Sequence, residues 1–149
     1  MSGGWPLGSA GGVAQAGFLR ALADHVERHD LAAVNISSDH AGGWSLHVFS
    51  GWTRCARTGG RLPVDVSAGL VGWARSLGVA GLVVWPQADQ VVVRFAASIG
   101  GCPVVVWGCV DPLREAMGLT EVDTTITVAA LAYFTEHGTA RPDSAGERR

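Results

Sequence analysis

Two valine-rich runs joined by a glycine pair constrain this chain most. Val91 to Ile99 and Val104 to Val110 both read as strands, and Gly100-Gly101 between them is a tight hairpin signal. A chain with such a hairpin builds a sheet, and the sheet has to cover an apolar face. The triplets Val91-Val92-Val93 and Val104-Val105-Val106 lack polar–apolar alternation. These strands are therefore expected to be buried on both faces or to lie at a contact with a second chain.

The remaining text supplies the cover and further strands. From Gly12 to His29, Ala16, Leu19, Leu22, Ala23 and Val26 recur at helical spacing. Arg28 and His29 suit the last turn of that helix. Ala32, Val34 and Ile36 alternate with polar or small neighbours, as do Trp44, Leu46 and Val48; the turn-rich stretch Ser38–Gly43 makes them an antiparallel hairpin. A short third strand is expected within Trp52–Ala56. Ser67 can cap a second helix over Ala68–Leu77, with Leu70, Trp73, Ala74 and Leu77 inward and Gly78 as its stop. Leu82–Trp85 is strand-like. Asp111-Pro112 opens a short helical turn. Thr120–Asp123 resembles a capping box for a last helix ending at Gly138, while β-branched Thr124–Val128 makes strand the competing reading there.

The expected fold is thus α+β: an antiparallel sheet of about five strands with helices packed on one face, in the order αββ(β)αβββα. Helix, strand, turn, strand occurs twice, with Val26–Ser50 and Ala74–Ser98 in phase, so the order carries a weak αββ pseudo-repeat. Residues 1–11 are expected to be a flexible N-terminal segment, 12–138 a single domain, and 139–149 a disordered C-terminal tail.

Composition narrows the classes. All 11 basic residues among the 149 are Arg, the formal net charge is −2, and only 16% of residues are charged. A typical share is about 25%. A chain without a clustered basic footprint is not expected to bind nucleic acid. No apolar run approaches the roughly 20 residues of a membrane helix, so no membrane association is expected. The start lacks a basic n-region, and three cysteines form no paired framework. Both point to a cytoplasmic protein with reduced thiols. The absence of Lys beside abundant Ala, Gly and Arg points to a high-GC bacterial genome.

Several side chains could carry chemistry. His25 and His29 lie four apart on one helix side, a spacing that suits two metal ligands, but no third ligand has a defined spacing and the zincin pattern is absent. No metal and no cofactor are expected. Cys55 lies between Arg54 and Arg57, whose charge would favour a thiolate. Asp39 and His40 share a turn, where Asp commonly bonds its own backbone. No nucleophile elbow and no nucleotide-binding glycine loop is present. The polar candidates for an enzyme or small-molecule pocket are therefore His25, His29, His47, Cys55 and Asp39, and nothing in their spacing makes them a catalytic set.

The six tryptophans are more informative. Trp73 belongs to a helix core face. Trp44, Trp85 and Trp107 fall on strands, with Trp52 just after one. Tryptophan in excess of core needs, on a surface poor in charge, marks contacts. Trp44, Trp52, Trp85, Trp107 and Phe49 form the expected interaction surface. The sequence reads as a non-enzymatic protein-interaction module, regulatory, adaptor, chaperone-like or part of an assembly, that binds a protein partner or self-associates as a homodimer. A small enzyme or ligand-binding domain is the alternative.

Overall fold

The computed structural model describes residues 7–38, 43–49, 52–54, 61–63, 65–120 and 122–140. In chain order the elements are α1 (Leu7–His29), β1 (Asn35–Ser38), β2 (Trp44–His47), β3 (Trp52–Arg54), β4 (Arg61–Pro63), α2 (Val66–Ser76), β5 (Gly81–Pro86), β6 (Val91–Ile99), β7 (Cys102–Cys109), α3 (Leu113–Met117), β8 (Thr124–Thr127) and α4 (Val128–His137). The first helix begins at Leu7, inside the segment expected to be loose. Residues 1–6 and 141–149, and the turn holding Asp39, lie outside the described residues.

The α+β class holds, but the sheet expectation needs correction. The main sheet has six strands, ordered β1-β2-β7-β6-β5-β8, and β3–β4 is a separate two-stranded hairpin. The sheet is mixed, because β2 runs parallel to β7, with Trp44 opposite Val104 and His47 opposite Trp107. The other pairs are antiparallel. A parallel neighbour needs a long crossover, and the chain between β2 and β7 contains α2. Local alternation says nothing of strand direction, so this pair could not be read in advance.

The sixth strand is the Thr-rich segment for which helix and strand compete in the sequence. Thr124–Thr127 pairs with β5, as β-branched residues favour. Helix α4 begins only at Val128, where the Thr127 side chain accepts a hydrogen bond from the Ala130 amide at 3.0 Å. Similarly, α2 is capped by Asp65 rather than Ser67, whose buried hydroxyl donates to the Asp65 carboxylate at 2.8 Å.

The core cluster lies on one side of the sheet. Leu46, Val48, Leu82, Val84, Val91, Val93, Phe95, Val104 and Val106 share that face and form one cluster with Phe18 and Leu22 of α1, Leu70 and Trp73 of α2, Leu113 and Met117 of α3, and Leu131 and Phe134 of α4. Two close approaches set the spacing. A Cβ at Gly100, whose φ is +59°, would come 2.7 Å from Ala21, so the β6–β7 turn lets α1 sit directly on it. At Gly108 a Cβ would come 2.7 Å from the Val48 carbonyl oxygen. The pairs β1–β2 and β5–β6 stand on opposite sides of β7 and run in opposite senses. A two-fold axis normal to the sheet would place them so, and each pair follows a helix.

Candidate functional site

Side chains alternate across a strand, so the register that buries one set turns the other set outward. One outward row crosses all six strands: Asn35, His47, Trp107, Arg94, Val83 and Thr125. A flanking row holds Cys109, Val92 and Trp85, and another holds Ser37, Ser45, Val105 and Ala96. None of these residues belongs to the core cluster, although Val92 is itself buried. Trp85 is 40% exposed and Val105 37%. This is the second face of the sheet, and the helices contribute their core residues to the first.

The outward aromatic groups are ordered by their neighbours. Trp107 donates its indole N–H to the Ser45 hydroxyl at 2.9 Å. The His47 imidazole stacks on it with ring centres 3.9 Å apart and planes 13° apart. The Phe49 ring lies 6.3 Å from His47. Partial burial lowers the His47 pKa, which favours an uncharged ring at neutral pH. Arg94 stands beside Trp107 in the row and places its guanidinium 5.4 Å from the Trp85 ring centre. It is the single charged residue on the three rows, and no acidic partner is found for it among the described residues.

The expected interaction residues separate accordingly. Trp85 and Trp107 lie on the open face, and Phe49 adjoins it. Trp44 is on the helix side, stacked on Phe18 with ring centres 4.4 Å apart. It seals α1 to the sheet. The Trp52 side chain, like Cys55 and Asp39, lies outside the described residues. Arg94 had no signal in the sequence, since only the pairing register brings it between two tryptophans.

His25 and His29 do come together, on α1 beside α2. Their rings are 4.5 Å apart, and His25 also lies 6.0 Å from Trp73. The His25 Nε2 is 2.9 Å from the Ser76 hydroxyl, which donates its own proton to the Trp73 carbonyl. The hydroxyl therefore accepts from His25, leaving the imidazole lone pair on Nδ1, away from the serine. In this arrangement the pair is structural and lacks the geometry of a nucleophile with its base. Next to it is an open cleft of about 390 Å³, lined by residues that include His29, Asp30, Arg75 and Ser76. The sheet separates His25 from His47, so these two polar candidates do not converge. Among the described residues, no three His, Cys, Asp or Glu side chains gather to hold a metal ion. Burial and Asp111 raise the Cys109 pKa, which favours the unreactive thiol.

The state of His25 has a measurable consequence. Burial first, then His29 and Arg28, push its pKa below the ordinary value, with Asp24 opposing. The unfolded chain then binds a proton more readily than the folded one. Stability is expected to fall as pH drops through and below 6.5, the ordinary value, and to level off below the folded-state pKa. Urea midpoints between pH 8 and 5 should show this fall, and His25→Gln should flatten it. An unchanged slope in that variant would assign the effect elsewhere, His47 being the other imidazole shifted the same way.

No helix among the described residues is long and apolar enough to cross a membrane. Compared with family models, curated proteins and solved structures, the chain shows no match.

Proposed function

We propose that this chain is a non-enzymatic protein-interaction module, and that its contact surface is the outward sheet face. The observation that carries the reading is the set of large apolar side chains there that stay exposed or half-exposed, Trp85, Val105 and Trp107, which lie outside the core cluster. A sheet face of this kind is costly to leave in water and is suited to a flat partner surface or an extended segment. The dispersed polar candidates and the Ser76–His25 hydrogen-bond direction favour this reading over an enzyme. The net charge of −2 favours a protein over a nucleic acid as the partner. The lack of a paired cysteine framework and the lysine-free composition support a reducing bacterial cytoplasm.

The test uses protein expressed in its own host. Trp85→Ser with Val105→Gln changes two exposed side chains and leaves the core untouched. Wild-type protein is expected to copurify with a stoichiometric partner by native mass spectrometry, and the double variant to lose at least tenfold of that recovery while retaining its circular dichroism. A wild-type protein found only as a bare monomer would overturn the reading, as would a partner retained equally by the variant.

A further inference from the structure

Resting on that reading, we infer that the open face binds an extended acidic–apolar protein segment, with one Asp or Glu of the partner pairing to Arg94 between Trp85 and Trp107. The argument is one of charge. Across the outward rows there is a guanidinium and no carboxylate. Arg94 places its guanidinium 5.4 Å from one indole and stands opposite another, and among the described residues it has no hydrogen bond or ion pair, so its N–H groups are open to an anion. Covering the face removes water from this cation, and an arginine buried without a counter-charge is strongly unfavourable.

A second copy of the chain does not meet that need. Two such faces laid together would enclose two guanidinium groups and bring no acid to either. A purely apolar segment would leave Arg94 unpaired. Single-stranded nucleic acid would find stacking surfaces, but only one cation for several phosphates. A segment with a lone carboxylate among apolar or aromatic residues satisfies both parts of the surface. Its apolar side chains fit against Val105 and Trp85, both exposed, and its acid meets Arg94 in a setting of low dielectric.

The experiment is selection of a phage-displayed random peptide library on the full chain, with counter-selection on the Trp85→Ser/Val105→Gln variant. Recovered peptides are expected to carry Asp or Glu flanked by apolar residues. Peptides synthesised from the selection should bind Arg94→Gln at least tenfold more weakly than wild type, as loss of a charge-assisted hydrogen bond predicts. Changing the peptide's acid to its amide should cost the same and add nothing on top of Arg94→Gln. Face-dependent peptides without an acid, or indifferent to Arg94→Gln, would overturn this inference and leave the interaction reading standing. Peptides that bind the double variant equally, or no binders at all, would overturn the interaction reading itself. Tight binding of oligo(dT) that Trp85→Ser weakens, or dimerisation abolished by the double variant, would also overturn the inference.

Discussion

Replacing Trp73 with alanine is expected to remove roughly 3–5 kcal/mol of stability, the usual range for deleting a large buried aromatic. Small domains have only about 5–15 kcal/mol in total. Trp73 is fully buried in α2 and belongs to the core cluster. Its indole N–H donates to the Ala32 carbonyl at 3.0 Å, tying α2 to the segment between α1 and β1. Alanine would leave a cavity and an unpartnered carbonyl together. Trp73→Phe should recover part of the loss by refilling volume while still leaving Ala32 unpaired. Urea unfolding of the three proteins measures both parts. A loss below about 1 kcal/mol for alanine would mean that the helix layer repacks freely, contrary to this packing.

Gly108→Ala should be the most damaging small substitution in the sheet, at about 1–3 kcal/mol for forced overpacking. The added methyl would meet Val66 Cγ1 at 2.6 Å and the Val48 carbonyl oxygen at 2.7 Å. The first contact can relax by a side-chain movement. The second cannot, because the Val48 backbone is held by the hydrogen bond that its own N–H donates to the Trp107 carbonyl at 2.8 Å. The strain therefore falls on the parallel β2–β7 pairing. Amide exchange at Val48 should accelerate more than at Val93, which faces Gly108 on the antiparallel side. Equal acceleration at the two would place the strain elsewhere. Gly101, with nothing near its Cβ position, supplies the contrast in space, although its φ of +79° strains any replacement.

Much of the fold was legible because its signals are local. The Gly100-Gly101 hairpin, the β1–β2 hairpin and the inward stripe of α2 each follow from periodicity and turn chemistry within one element. What escaped depends on partners distant in sequence. The sequence leaves Thr124–Thr127 open between helix and strand, and the edge that β5 offers decides for strand. The parallel β2–β7 pair depends on a crossover whose direction no residue encodes locally. The site divides in the same way. An excess of tryptophan was visible, but Trp44 and Trp107 look alike as strand tryptophans. Only the side chosen by the helices makes one a seam with Phe18 and the other part of an open surface. Arg94 carried no motif; its place between two indoles is a product of register.

The parallel β2–β7 pair also sets a timetable for the nascent chain. Trp44 must wait for Val104, roughly 60 positions later, before the sheet has its centre. At ordinary bacterial rates of about 5–20 residues per second, the β1–β2 hairpin leaves the ribosome several seconds ahead of β7, its long-range strand partner. During that interval Leu46 and Val48, fully buried in the finished protein, have no β7 to sit beside. A chain halted before residue 104 has both main-sheet hairpins, β1–β2 and β5–β6, but not the strand that joins them.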